Sequence, residues 1–147
     1  MLGIDLRQYR QFLTKNERNK VYLRKNTAEG RVVADSKYKS KRRLEKAGVG
    51  TPKMIARFRT SEEVKNFDWE KLTGNFVIKP VSGYGGEGIL IIRKKLEKKN
   101  GRPETSFLLM DGRIMGVEDI KLHCQDILSG KYSMHGSADS VLVEERI

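Results

Sequence analysis

The stretch Asn75-Phe-Val-Ile-Lys-Pro-Val-Ser-Gly-Tyr-Gly-Gly-Glu-Gly-Ile-Leu-Ile-Ile92 decides the fold of this chain. It contains an apolar strand, a lysine at the end of that strand, a loop with four glycines and a second apolar segment. Three of the glycines have the GxGxxG spacing that lets a backbone approach phosphate groups closely. A dinucleotide-binding fold requires a helix after such a loop. Residues 89–92 are short, apolar and β-branched, so they predict a strand, and the loop becomes the tip of a hairpin that covers a nucleotide.

The position of Lys79 separates this loop from two other phosphate-binding classes. Lys79 ends the strand before the glycines, so its ammonium can reach an anion that the loop covers. A protein kinase carries its phosphate-binding lysine on the strand after the loop and has an HRD catalytic loop, and neither feature is present here. A Walker motif requires Gly-Lys-Ser/Thr, whereas Gly88 is followed by Ile89. Both classes are therefore excluded.

Length and charge limit the classes of function. With 147 residues the chain has the length of one domain with a moderate core. The net charge of +11 favours anionic partners, either nucleic acid or nucleotide phosphates. Most of the basic residues are spread from Arg7 to Arg113, and they do not form a tail. Charge alone therefore does not choose between these partners.

The sequence predicts a cytoplasmic protein that does not enter a membrane. No apolar run approaches the length of a membrane span, and the N-terminus lacks the pattern of a secretory signal. The single cysteine, Cys124, cannot form an internal disulfide. Cys124 and His123 are interpreted as helix residues, the first buried and the second exposed, with no catalytic pattern around them.

Hairpins and helices alternate along the chain without regular βαβ units, which predicts an α+β fold. Helices are predicted within 4–26, over 35–46, after the capping box Thr60–Glu63 and from 117 to an end at Gly130. Strands are predicted at 32–33, 54–58, 75–79, 89–92, 106–110, 113–115 and 141–144. Asp111-Gly112 predicts a tight hairpin turn, and residues 94–103 predict a charged connection.

The order strand, lysine, glycine flap, strand resembles the ATP-grasp family, and two further segments support the resemblance. Ala34-Asp-Ser-Lys-Tyr-Lys-Ser-Lys41, followed by Leu44-Glu-Lys-Ala-Gly-Val-Gly-Thr-Pro52, is similar to the family's helix entry "D-K … L-x-x-x-G-I-x-T-P". In that match Lys37 takes the position of the first phosphate-binding lysine, and Lys41 is the second candidate for this role.

The segment Val141-Leu-Val-Glu-Glu-Arg-Ile147 resembles the hinge at which the family binds adenine. The resemblance implies that Glu144 faces the adenine amino group, that Glu145 and Ile147 supply main-chain contacts, and that Ile147 touches the ring. The nucleotide-binding residues it implies are Lys37, Lys79, Ser82, Gly83, Gly85, Gly86, Glu144, Glu145, Arg146 and Ile147. No catalytic residue and no metal ligand is predicted within the chain.

The resemblance covers most of residues 16–147 and implies a partial ATP-grasp fold. Asn16-Glu-Arg-Asn19 together with Asn26 resembles the sugar-transfer-associated or α-L-glutamate-ligase-like branch. The expected organisation is an N-terminal helical segment over 1–50, a lid subdomain with an antiparallel sheet and the glycine flap over 51–140, and the hinge strand at 141–147. The implied function is the ATP-binding portion of a ligase that phosphorylates an unidentified carboxylate and lets an amine or another nucleophile displace the phosphate.

The resemblance also implies Mg²⁺, whose ligands, like the acceptor site, lie after the hinge in the family. The acidic residues of this chain precede the hinge and match no metal motif; they are Asp111, Glu118, Asp119, Asp126 and Asp139. We therefore expect a fragment of a longer ligase, or else a short chain completed by another. On this expectation the chain alone is inactive and binds nucleotide weakly at most.

Two other hypotheses stay open. A basic nucleic-acid-binding module would use the charge and the loop to hold a backbone, but no aromatic stacking platform and no base-reading motif is present. A purely structural domain with a glycine hairpin would bind neither nucleotide nor nucleic acid.

Overall fold

The computed structural model describes residues 14–73, 75–96, 105–133 and 136–147. The chain divides into two compact units, Met1–Asp35 and Ser36–Ile147. The predicted division into 1–50, 51–140 and 141–147 stays a prediction. Among the described residues no helix is both long and apolar enough to cross a membrane.

The described part of the first unit is helical. Helix α1 (Lys15–Glu17) continues into a π-helical turn (Arg18–Tyr22) and a 3₁₀ turn (Leu23–Lys25), and helix α2 spans Ala28–Ala34. The hydroxyl of Thr27 accepts a hydrogen bond of 3.0 Å from the N–H of Gly30 and caps α2. The predicted strand at 32–33 is therefore wrong, because a capped helix includes these β-branched residues. The part of the predicted helices that falls on residues 4–13 lies outside the described residues.

The second unit contains an antiparallel sheet of six strands in the order β1-β6-β2-β3-β4-β5. Its elements are α3 (Lys37–Lys46), β1 (Met54–Phe58), α4 (Ser61–Asn66), a 3₁₀ turn (Trp69–Lys71), β2 (Phe76–Pro80), β3 (Leu90–Leu96), β4 (Ser106–Leu109), β5 (Ile114–Gly116), α5 (Val117–Leu128) and β6 (Val141–Glu145). The predicted α+β class is confirmed.

The decisive stretch forms the predicted hairpin. Strands β2 and β3 pair antiparallel, with Ile78 opposite Leu90, and the glycine loop connects them. Strand β3 follows the glycines at the place where a dinucleotide-binding fold has a helix, so the exclusion of that fold is confirmed. Strand β3 is longer than predicted and continues to Leu96, into the first residues of the expected charged connection. Residues 97–104, the rest of that connection, lie outside the described residues.

One face of the sheet packs against α4 and α5 and forms the core. Alternation along the strands sends apolar side chains to this face, and the largest fully buried ones include Phe76, Phe107, Ile78, Ile92 and Val143. The predicted capping box starts α4, since Thr60 accepts from the N–H of Glu63 and the Glu63 carboxylate accepts from the N–H of Thr60, both at 3.2 Å. Among the described residues, the buried charged side chains of Lys41 and Glu144 lie outside this core.

Helix α3 lies near the opposite face of the sheet. Ser36 caps it, one residue after the predicted Asp35, and the helix stops before Gly48, whose φ of 75° is the left-handed conformation that glycine favours. The guanidinium of Arg57 in β1 stacks on the ring of Tyr38 at 4.0 Å from its centroid. The N–H of Lys37 donates to the carbonyl of Val81, directly before the glycine loop, at 3.0 Å. The start of α3 is thereby fixed beside the loop.

Candidate nucleotide-binding site

Lys79 and Glu144 form an ion pair across two neighbouring strands. In the register of β2 and β6, Lys79 lies opposite Leu142, so its side chain shares a sheet face with Glu144, two residues further on. The ammonium of Lys79 contacts Oε1 of Glu144. The Glu144 side chain is only 5 % exposed, whereas that of Lys79 is 22 % exposed. The carboxylate is therefore buried, and the lysine connects it to the surface near the loop.

Lys41 in α3 is a second partner of the same carboxylate. Its ammonium lies 3.6 Å from Oε2 of Glu144 and also donates to the carbonyl of Pro52. The Lys41 side chain is 6 % exposed. Because a buried charge is costly without partners, this arrangement keeps both Lys41 and Glu144 compensated.

Lys37, one helical turn earlier in α3, reaches the glycine loop instead. Its ammonium donates to the carbonyl of Gly83 at 3.1 Å. Partial burial lowers the pKa of Lys37, and the positive charge of Lys79 lowers it further, while Asp139 opposes the shift. The structure thus places Lys37 at the loop and Lys41 at the buried carboxylate, although the sequence leaves both as candidates for the phosphate.

The tip of the glycine loop has the backbone freedom that a phosphate cover requires. Gly85 and Gly86 have φ values of 64° and 82°, which side chains with a Cβ rarely adopt. A Cβ added at either position would meet no atom within 4 Å, so this part of the loop is open. The N–H of Ser82, in contrast, donates to the carboxylate of Asp139 at 2.8 Å. Ser82 is therefore held at the start of the loop.

His123 and Tyr132 contact the end of the loop, although the sequence predicts no functional role for either residue. Nε2 of His123 lies 2.9 Å from the carbonyl of Gly88, and the hydroxyl of Tyr132 lies 3.5 Å from Nδ1. The prediction of an exposed His123 is thus wrong, because the ring is partly buried against the loop. The sequence does contain an indication that His123 is partly buried. His123 lies three residues after the buried Ile120 and four before Ile127, at the border of the apolar face of α5.

The hinge strand ends beside a small pocket. The N–H of Glu145 donates to the carbonyl of Lys53 and that of Arg146 to the carbonyl of Asn75, each at 2.9 Å. Ile147 is almost fully exposed. The pocket has a volume of about 300 Å³ and is lined by Ile55, Leu72, Thr73, Asn75, Phe76, Glu145 and Arg146. The adenine contacts of Glu144, Glu145, Arg146 and Ile147 stay predictions.

Metal and thiol chemistry find no support in the part of the chain that the structure describes. Within it, no group of three or more His, Cys, Asp and Glu side chains is arranged to hold a metal ion. The described residues therefore do not fit a Mg²⁺ site. Cys124 is buried, and burial raises the pKa of its thiol to about 12, so it is not a nucleophile at neutral pH.

Comparison with known proteins identifies the family. The profile described as sugar-transfer associated ATP-grasp matches residues 16–147. A search of curated proteins gave no significant match, and a search of solved structures gave none either. The match supports ATP binding and an ATP-dependent, ligase-like function at the level of the family, and it is consistent with the α+β sheet as a partial ATP-grasp fold. The chain therefore belongs to the sugar-transfer associated ATP-grasp family.

Proposed function

We propose that this chain binds the triphosphate of ATP between the glycine loop, Lys37 at the start of α3 and Lys79 on the sheet face that carries Glu144. It would do so as the ATP-binding portion of a ligase that forms an acyl phosphate on a carboxylate substrate. The observation that carries the proposal is that these two lysines lie close to each other beside the loop. Lys37 contacts Gly83 directly, and Lys79 is near enough to lower the pKa of Lys37.

The present partner of Lys37 favours exchange with a phosphate. A neutral carbonyl, that of Gly83, accepts from its ammonium in a partly buried site. A phosphate oxygen carries the negative charge that this carbonyl lacks, so it attracts the ammonium more strongly. The lowered pKa of Lys37 also means that its charge lacks full compensation, which an anion would supply. Lys37 is thus the first residue that we assign to the phosphates.

Lys79 can turn to a phosphate without leaving Glu144 uncompensated. Glu144 shares its carboxylate between Lys79 and Lys41, so Lys41 remains as a counter-charge. Lys41 is held in place by the carbonyl of Pro52 and does not need to move. Glu144 would therefore pair with Lys79 only while no ATP is bound. When ATP binds, Lys79 would move to the phosphates and Lys41 would remain paired with Glu144.

The loop would then cover the phosphates from above. Backbone N–H groups near the left-handed glycines can form a concave anion site. Closing such a loop excludes water, which protects an acyl phosphate from hydrolysis. The Mg²⁺ ligands and the acceptor site stay predictions from the resemblance, which places them after the hinge, and the cytoplasmic location also stays a prediction.

Titration of ATP against single lysine variants tests the proposal. We expect Lys37→Ala and Lys79→Ala each to raise the Kd for ATP by about tenfold or more, the effect of one lost hydrogen bond to a charged group. Lys39→Ala is the matched control. Lys39 is exposed in α3, the helix that carries Lys37, and this substitution removes the same charge as Lys37→Ala. Its Kd should remain within about twofold of the wild type, as expected of a screened surface charge.

A parallel titration with single-stranded and double-stranded oligonucleotides addresses the competing class. Binding of ATP that these oligonucleotides do not displace supports the proposal. The proposal fails if the wild-type chain has no affinity for ATP, or if all three variants behave alike. Salt-sensitive oligonucleotide binding together with indifference to ATP would instead establish the nucleic-acid-binding module.

A further inference from the structure

We infer that His123 and Tyr132 are positioning residues that anchor the end of the glycine loop, so that only its tip, residues 85–87, moves over the phosphates. This inference rests on the proposed function for its link to ATP. The anchoring itself rests on the contacts of Gly88 with His123 and Tyr132. Neither side chain belongs to the lysine and carboxylate cluster described above.

The first contact is the hydrogen bond between His123 and Gly88. For Nε2 to donate to the carbonyl of Gly88 at 2.9 Å, the proton of a neutral imidazole must be on Nε2. Nδ1 is then an acceptor, and the hydroxyl of Tyr132 lies 3.5 Å from it. Burial lowers the pKa of His123, which favours this neutral form. The imidazole thus connects the loop to Tyr132 through both nitrogens.

The second contact is the packing of Gly88 against the Tyr132 ring. A Cβ at Gly88 would lie 2.6 Å from two ring atoms, so only glycine allows the approach. The backbone carbonyl of Tyr132 also accepts a hydrogen bond of 3.2 Å from the N–H of Tyr84. Tyr132 therefore contacts the loop on both sides of its tip.

The tip is open, unlike the residues that flank it. Gly85 and Gly86 are exposed, and a Cβ at either would meet no atom within 4 Å. The N–H of Glu87 donates only back to the loop itself, to the carbonyl of Tyr84 at 3.1 Å. At the start of the loop, the N–H of Ser82 donates to the carboxylate of Asp139 at 2.8 Å. Motion over a ligand would therefore be confined to residues 85–87.

Anchoring lowers the entropic cost of ordering the loop around a ligand. Fewer backbone torsions have to be fixed when only the tip closes. A variant that releases Gly88 should therefore weaken ATP binding although His123 touches no phosphate. This indirect effect is the reason that we describe His123 and Tyr132 as positioning residues.

Hydrogen–deuterium exchange of the intact chain without ATP tests the anchoring. We expect His123→Phe to raise amide exchange over residues 82–89 by about fivefold, the effect of one lost neutral hydrogen bond, while the β4–β5 hairpin stays unchanged. His123→Gln retains an N–H that can reach the Gly88 carbonyl and should restore most of the protection. Leu122→Ala is the control, because Leu122 is exposed and lies beside His123 in the same helix.

A glycine pair gives a second test that does not depend on His123. Gly86→Ala and Gly88→Ala both place a Cβ on a left-handed backbone, with φ values of 82° and 73°. Only the second collides with the Tyr132 ring. Gly88→Ala should therefore raise exchange at the N–H of Tyr84 more than Gly86→Ala does. Equal effects of the two substitutions would contradict the contact with Tyr132.

The outcomes separate the inference from the proposed function. Unchanged loop exchange in His123→Phe overturns the anchoring, whatever the affinity for ATP. Raised exchange with a Kd for ATP about fivefold higher in His123→Phe, and with both values restored in His123→Gln, supports it fully. A wild-type chain that does not bind ATP overturns the proposed function, and the exchange comparison still decides the anchoring.

Discussion

Lys79 and Glu144, 65 residues apart in the chain, form an ion pair across strands β2 and β6. The carboxylate is buried and has a second counter-charge in Lys41, whereas Lys79 extends toward the surface. This asymmetry makes Lys79 the partner that a ligand can recruit, and Lys41 the partner that remains.

Removing the charge of Glu144 should strongly destabilise the fold. In Glu144→Gln the two ammonium groups lose their shared anion while the shape of the side chain is kept, and breaking a buried pair in this way costs about 3 kcal/mol. Urea unfolding followed by the fluorescence of Trp69, the single and buried tryptophan, measures the loss. Glu145→Gln, at an exposed neighbouring position, should change stability by at most about 0.5 kcal/mol. Similar losses in both variants would show that the pair is not stabilising.

Lys37 and Lys41 should separate into a ligand-binding and a structural lysine. Lys41→Met removes a hydrogen bond to Pro52 and one counter-charge of Glu144, so we expect a loss of about 2 kcal/mol. Lys37→Met removes a charge that burial already disfavours, so unfolding should change little while the Kd for ATP rises about tenfold. Urea unfolding and ATP titration of both variants decide the matter. The reverse pattern would assign the phosphate contact to Lys41.

The stability of the protein should fall as His123 takes up a proton. Burial is the main cause that lowers the pKa of His123 in the folded state, and the charges of Lys131 and Arg113 lower it further. The hydrogen bond to Gly88 and the charge of Asp126 oppose this shift. As the pH falls below the unfolded value of about 6.5, the unfolded state binds the proton first, so stability is lost until the folded pKa is passed.

Imidazole titration by NMR and urea unfolding at several pH values measure this effect. As the pH falls below about 6.5, His123→Gln should show a flatter dependence than the wild type, because glutamine does not titrate. Parallel curves for the two proteins would contradict the contribution of His123.

Cys124 should react with a thiol reagent only when the fold opens. Its side chain is fully buried, and burial raises its pKa to about 12, so the native protein presents almost no thiolate. The rate of modification by a disulfide reagent should therefore rise with urea in parallel with unfolding. The double variant Cys124→Ala/Leu122→Cys carries an exposed thiol on the same helix and should react at once. Rapid labelling of Cys124 in the native wild type would show that α5 opens locally.

Local elements could be predicted where neighbouring residues decide the conformation. The glycine hairpin, the capping box at Thr60 and the turn at Asp111-Gly112 all follow from short-range sterics and hydrogen bonds. The error at residues 32–33 has the same origin, because the hydroxyl of Thr27, five residues earlier, starts a helix that overrides the strand preference of two valines.

The sequence alone determined the α+β class, the hairpin with Lys79 before its glycines, and the resemblance that identifies the family. These features depend on residue order and on contacts between near neighbours. Only the tertiary structure decided that Lys37 reaches the loop while Lys41 reaches Glu144, and that His123 holds Gly88 from 35 residues away. Such contacts join residues that are far apart in the chain, so they depend on how the strands and helices pack together. The spacing of residues along the sequence does not specify that packing.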